Sequence, residues 1–314
     1  MEKKKLKFAF YWAASCGGCE IAVLDINEKI LDVVANADIV FWPVAIDTKY
    51  KDVEAMPDKS IDVCFFNGAI RTGENERIAK LLRKKSKVMV AFGSCACDGC
   101  VKGLANLWDR KTIFERAYFE TPSTKNPQSV TPKTSVKVKE GELELPEFYD
   151  TVKTLGQTVD VDYFLSGCPP PVPLIIQAVE AIFTNKLPPK GSVLMPTKSI
   201  CDECPRERKD KKLAEIKRIY EIEDDQKTCF WDQGVVCMGP ATRAGCGAQC
   251  PNINIPCTGC DGAGPLVTDQ GAAIMSALAS IATDPNVIEQ VVDPIGTFYK
   301  YSLANSILRR KVKK

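Results

Sequence analysis

Apolar residues along this chain fall into two regimes. In the first half they form short runs, Lys7 to Trp12, Asp38 to Trp42, Ile61 to Phe66, Val88 to Phe92 and Val161 to Leu165, each too short for a helix and bounded by turn residues. Such runs predict strands buried on both faces. Between them lie segments of helical period. One follows Cys19, with apolar positions Ile21, Leu24, Ile30, Leu31 and Val34, and others cover Gly73 to Lys85 and Pro173 to Phe183. Strands alternating with helices predict a parallel sheet covered on both faces.

This is a flavodoxin-like α/β pattern, in which the loops after the strands gather along one sheet edge where ligands bind. Three of those loops carry cysteine: Cys16 and Cys19 after the first strand, Cys95 after the fourth, and Cys168 after the fifth. Thr121 to Pro146, rich in Thr, Pro, Lys and Glu, reads as a surface insertion. From about Gly191 the periodicity fades, and cysteine, glycine and proline become frequent. The expected division is a flavodoxin-like domain over 1–190 and an irregular cysteine-rich domain over 191–314. Within the second, a charged helix is predicted around Lys211 to Tyr220 and an apolar helix over Ala272 to Ala282.

The 314 residues are 45% hydrophobic, enough for a full core, and 42 basic against 40 acidic residues leave a net charge of +2. That balance gives no footprint for nucleic acid. Basic residues gather at the start (Lys3, Lys4, Lys5, Lys7), at the end (Arg309, Arg310, Lys311, Lys313, Lys314) and in a mixed run from Arg206 to Arg218. No apolar stretch approaches the ~18 residues of a membrane span, and Phe8 to Ala14 is too short for a signal peptide and reads as a strand. A soluble, cytoplasmic protein is expected.

Fifteen cysteines and no histidine change the picture most. In a reducing compartment such a count argues for metal rather than disulfides. Twelve of the fifteen fall into three sets of four: Cys16, Cys19, Cys95 and Cys168; Cys201, Cys204, Cys229 and Cys237; and Cys246, Cys250, Cys257 and Cys260. A C-x-x-C spacing lets two thiolates reach one cluster from a single turn, and nearby glycines let the backbone approach it. Prolines follow Cys168, Cys204 and Cys250, as in the C-P endings of bacterial ferredoxin motifs. Paired C-x-x-C motifs also suit tetrahedral zinc, so a zinc-stabilised interaction module stands as the alternative class.

Cys16-Gly-Gly-Cys19, Gly93-Ser94-Cys95 and Gly167-Cys168-Pro169-Pro170, in this order, resemble the small subunit of nickel-iron hydrogenases, and the resemblance spans essentially the whole chain. It implies a proximal 4Fe-4S cluster on set one, a distal cluster on set two and a medial cluster on set three. Cys201 stands where many relatives have histidine, and Cys250 supplies a fourth thiolate where well-known relatives have proline and hold a 3Fe-4S cluster. Three 4Fe-4S clusters follow. Glu20 matches an acidic residue near the subunit interface and is a candidate proton relay, although the helix dipole also explains a glutamate at a helix start. The nickel-iron centre belongs to a large-subunit partner, since this chain lacks its paired motifs, so no catalytic residue is expected here.

All-cysteine ligation and the Cys201-Asp-Glu-Cys204-Pro205-Arg206 segment look most like the methyl-viologen-reducing type. That type implies an iron-sulfur adaptor subunit and heterodisulfide reductase as partners. Sulfhydrogenase and deazaflavin-reducing small subunits share much of the pattern. The related quinone-oxidoreductase subunit has adjacent cysteines and ends after one cluster. Of the remaining cysteines, Cys64 is expected in the core, and Cys97-Asp-Gly-Cys100 forms a further C-x-x-C able to compete with Cys95 for set one. Some oxygen-tolerant relatives add a cysteine near Cys100, but they add another where this chain has Gly18, so Cys95 is kept as the ligand.

Overall fold

The computed structural model describes residues 4–308, so the basic end from Arg309 lies outside the described residues. Five strands, β1 (Leu6–Trp12), β2 (Ala37–Phe41), β3 (Ile61–Asn67), β4 (Ser86–Phe92) and β5 (Tyr163–Leu165), form one sheet in the order β2-β1-β3-β4-β5. Every pairing is parallel. This is the flavodoxin-like strand order. One face carries a core of Phe8, Phe10, Phe65, Val90 and Phe92, and the other a core of Ala9, Tyr11, Phe66, Met89 and Ala91. Cys64 is fully buried in the second core, as expected.

The helix α3 (Gly73–Lys85) spans the residues its periodicity marked, and Thr72 caps it by accepting from Asn75 N. The segment after Cys19 departs from expectation. It is not one helix but α1 (Gly18–Leu24), a 3-10 turn (Asn27–Lys29) and α2 (Ile30–Asn36), broken where Asn27 adopts φ 53°. The break rotates the inward face. Ala22, Val23, Ile26 and Val33 are buried, whereas Ile21, Leu24, Leu31 and Val34 are exposed.

After β4 come α4 (Ser94–Asp98) and, following the insertion, α5 (Val172–Phe183), which packs on the first core. The insertion is exposed throughout its hairpin, Ser135–Val138 with Gly141–Glu144. A further core gathers Ile200, Leu213, Phe230, Val235, Met238, Ile274, Leu278, Phe298 and Leu303 around α6 (Gln270–Ile281), the apolar helix expected there. No helix forms over Lys211 to Tyr220 beyond a 3-10 turn at Ile219–Glu221. That run is extended, tied by Leu213 N to Ile281 O and Lys217 N to Gly234 O, and its charges project from a strand-like ribbon anchored by buried Leu213. Among the described residues, no helix is long and apolar enough to cross a membrane.

Candidate metal centres

Set one is built at the edge of the sheet where the strands end. The turn after β1 presents Cys16 and Cys19, α4 presents Cys95, and the loop after β5 presents Cys168. Gly93 makes this meeting possible: it has φ 85° and ψ 158°, and a Cβ there would stand 2.3 Å from Cys19 Sγ. Burial pushes the Cys19 thiol up, and the neighbouring Cys95, Cys168 and Cys16 add to the effect, so the four groups share one electrostatic neighbourhood. Cys95 and Cys168 are held below the usual thiol range, at about 6 and about 7, chiefly by hydrogen bonding to Cys100.

Two further groups reach this site, one of them, Cys100, from the additional C-x-x-C and the other, Lys102, without a signal in the sequence. Cys100 lies 1% exposed with its Sγ 3.7 Å from Cys168 Sγ, so the second C-x-x-C sends one member to set one. Its other member, Cys97, turns into the sheet core and donates to Ala91 O at 3.3 Å. Lys102 Nζ stands 3.6 Å from Cys95 Sγ, bringing a cation to the thiols. Glu20 is 4% exposed, with Trp42 Nε1 donating to its Oε2 and Asn67 Nδ2 to its Oε1 at 3.2 Å. Burial raises its carboxyl above the ordinary range, against those two hydrogen bonds.

Set two surrounds a cavity. Cys201, Cys204, Cys229 and Cys237 all line one small cavity of about 30 Å³, walled by Phe230 and Trp231, floored by Gly239 and reached by Cys257 of set three. A Cβ on Gly239 would lie 3.1 Å from Cys201 Sγ and 3.5 Å from Cys237 Sγ, so this glycine keeps the floor open. Trp231 Nε1 fixes the backbone of the last thiol by donating to Cys237 O at 2.7 Å. Arg206, the first residue of the mixed charged run, is buried, paired with Asp224 and stacked 3.8 Å over the Phe230 ring.

Set three lies between the other two. Burial raises the Cys260 thiol, and Asp261, Cys257, Cys246 and, from set one, Cys168 all add to the rise. Cys257 is raised by burial and then by Cys237 of set two. Backbone contacts repeat the order: the Ser94 hydroxyl donates to Cys260 O, and Met238 N donates to Cys257 O at 2.9 Å. Gln270, at the start of α6, clamps the Cys257–Cys260 turn by donating to Gly259 O and Gly262 O at 3.0 and 3.1 Å. Cys250 stands half-buried on the short helical turn Gln249–Asn252. Asp261 is 2% exposed beside Cys260 and Cys246, its carboxyl pushed up to about 6 by burial. Only its place next to Cys260 in the sequence pointed to it.

Comparison with known proteins identifies the family. Residues 16–182 match the family of the NADH ubiquinone oxidoreductase 20 Kd subunit. The iron-sulfur subunit of an F420-non-reducing hydrogenase from Archaeoglobus profundus is 43% identical over 98% of this chain and 99% of its own length. The corresponding F420-non-reducing hydrogenase subunit from Methanothermobacter thermautotrophicus is 39% identical over 99% and 98%. A sulfhydrogenase 2 subunit delta of Pyrococcus furiosus is 23% identical over 94% and 100%. A nickel-iron-selenium hydrogenase from Dm. baculatum shares the fold at a TM-score of 0.51, with 16% identity over 82% of this chain and 95% of that one. Full-length matches at this level of identity, joined to the order of the cysteine motifs, show that the chain belongs to the family of F420-non-reducing nickel-iron hydrogenase small subunits.

Proposed function

We propose that this chain is the electron-transfer subunit of its hydrogenase, cytoplasmic and divided near residue 190, with a 4Fe-4S cluster on each set of four cysteines. The observation that carries the reading is the position of set three: Cys257 lines the cavity of set two, and Cys260 O accepts from Ser94, the neighbour of Cys95 in set one. Bound there, the clusters supply one-electron storage at potentials set by charge, hydrogen bonding and exposure. Cys16, Cys19, Cys95 and Cys168 hold the proximal site, Cys246, Cys250, Cys257 and Cys260 the medial, and Cys201, Cys204, Cys229 and Cys237 the distal.

The chain's own residues fit that role. Gly93 and Gly239 clear room beside the thiols. Trp12, Ile21 and Leu24, exposed around the Cys16–Cys19 turn, offer an apolar surface to the nickel-iron large subunit, and buried Glu20 beside them offers a position that can hold a proton. Electrons leave from the distal side, where Arg208, Lys209, Lys211 and Lys212 are exposed, toward an iron-sulfur adaptor subunit and heterodisulfide reductase.

Metal analysis and electron paramagnetic resonance of the anaerobically purified complex test this. About twelve irons on this chain, at four per cubane, and no hydrogen oxidation by the chain alone are the expected results. Zinc in place of iron, or hydrogen uptake by the isolated chain, refutes the proposal.

A further inference from the structure

Arg206 is the one basic residue of its run that turns inward. Its guanidinium has five N–H donors, and four are spoken for. Nη1 donates to Asp224 Oδ1 at 2.7 Å and Thr228 O at 2.9 Å, while Nη2 donates to Asp224 Oδ2 at 2.7 Å and Asn254 Oδ1 at 3.0 Å. The fifth, on Nε, is buried and has no partner in the protein. Its side chain is 1% exposed, lines the cavity of Cys201, Cys204, Cys229 and Cys237, and interacts electrostatically with Cys204. A buried donor left unmade is costly, so its acceptor is to be sought in the cavity.

We infer that Arg206 donates its Nε–H to a sulfur of the distal cluster and holds that cluster's reduction potential up. This rests on the proposal that set two binds a 4Fe-4S cluster. Asp224 grips both Nη atoms, so the pair is oriented with its Nε side free for the thiolates. A hydrogen bond and a nearby positive charge both stabilise the reduced cluster, which carries one more negative charge. The effect opposes the extra electron density that Cys201 brings. Through Asn254, which follows the Cys250 turn, the same guanidinium also ties the distal wall to the medial loop.

The test uses the intact complex, grown with 15N-arginine, with the distal cluster followed by redox titration and pulsed electron paramagnetic resonance. In the parent, one 15N coupling to the reduced distal cluster is expected. Arg206→Lys keeps the charge and abolishes the coupling. Arg206→Gln combined with Asp224→Asn removes the ion pair without stranding a charge, and lowers the distal midpoint by at least the equivalent of tenfold in the one-electron equilibrium, about 59 mV, with the other two clusters unmoved. An unchanged midpoint, a parent without the coupling, or loss of distal iron in both variants makes Arg206 a wall strut and overturns the inference alone. A parent complex without a cubane on these four thiols overturns the underlying assignment as well.

Discussion

Gly93→Ala is the sharpest single perturbation of the proximal site. Two costs add. The backbone at φ 85° and ψ 158° belongs to a region that only glycine occupies freely, at about 1–3 kcal/mol for another residue. The new methyl would also lie 2.3 Å from Cys19 Sγ, and forcing that contact apart costs about 1–3 kcal/mol more. The shift cannot be absorbed locally, because Gly93 N donates to Leu165 O at 2.8 Å and Gly93 O accepts from Ala96 N and Cys97 N. The sum, about 2–6 kcal/mol, falls at or below the low end of domain stability, about 5–15 kcal/mol, so the strain is relieved by displacing Cys19 rather than by unfolding. Gly191→Ala is the control: φ is 90° but nothing lies within 4 Å of the new methyl, leaving a backbone cost of about 1–2 kcal/mol. In the purified complexes, Gly93→Ala should lose about four of about twelve irons and the proximal resonance, whereas Gly191→Ala keeps both. Full iron and an unaltered proximal spectrum in Gly93→Ala would refute the account of how this edge holds its thiols.

Three further outcomes follow from other parts of the molecule. Cys250→Pro should remove about one iron per chain and produce an oxidised 3Fe-4S resonance from the medial site, and the parent spectrum with full iron would show that Cys250 is not a ligand. Asp162 accepts from Met89 N, Arg83 and Lys190. Asp162→Asn should destabilise the chain by about 1–3 kcal/mol in urea unfolding at neutral pH, since Lys190 is solvated and Arg83 keeps its backbone acceptors. Burial alone would raise the Asp162 carboxyl, but hydrogen bonds from Lys190 and Arg83 hold it below its ordinary value. The stabilisation is therefore present above the ordinary carboxylate pKa of about 3.9 and is lost as pH falls through the lower folded value; a gap between parent and variant that stays constant down to that range would count against it. Reversing Lys209, Lys211 and Lys212 together should slow electron delivery to the natural partner and weaken its salt dependence without loss of iron, and equal rates at low and high salt would leave these residues as ordinary surface charge.

The sheet was legible in the sequence because parallel strands buried on both faces must be apolar at consecutive positions, as Ile61 to Phe66 and Val88 to Phe92 are. Helix α3 was legible because Thr72, its acidic first turn and its basic last turn mark both ends. The α1–α2 segment was not, since Ile21, Leu24, Leu31 and Val34 share a helical spacing with the buried Ala22, Val23 and Val33, and periodicity alone does not say which face is inward. The charged run from Lys211 failed for a related reason. Its one buried anchor, Leu213, pairs with Ala282 across a long stretch of sequence. Cysteine spacing proposed the sets and marked Cys100 as a competitor for the first, whereas Lys102 and Asp261 stand beside thiols through tertiary contacts that spacing does not encode. Arg206 was hidden by its neighbours, because a buried arginine among exposed lysines reads as one more solvated charge.

The second half of the chain shows why the three sets should be regarded as one assembly. Between Ser199 and Asp269 the described residues form only short helical turns and isolated bridges, so regular backbone pairing does little to hold the thiols in place. Side chains inside the motifs take over that task. Glu203, within Cys201-x-x-Cys204, accepts from Gly245 N at 3.1 Å and Gly247 N at 2.9 Å, the residues on either side of Cys246. Arg206 reaches Asn254 beyond Cys250, and Ser94 reaches Cys260 from the sheet edge. Each set is thus anchored to its neighbour through groups one to four residues from a thiol. Metal binding supplies folding energy where a core is thin, and with clusters on the proposed sets these links would spread that energy along the chain, because Glu203 of set two holds the turn that carries Cys246. The placing of the Cys246 turn and of Cys260 is then a property of both flanking segments, which is how a stretch with so little regular structure keeps a defined geometry.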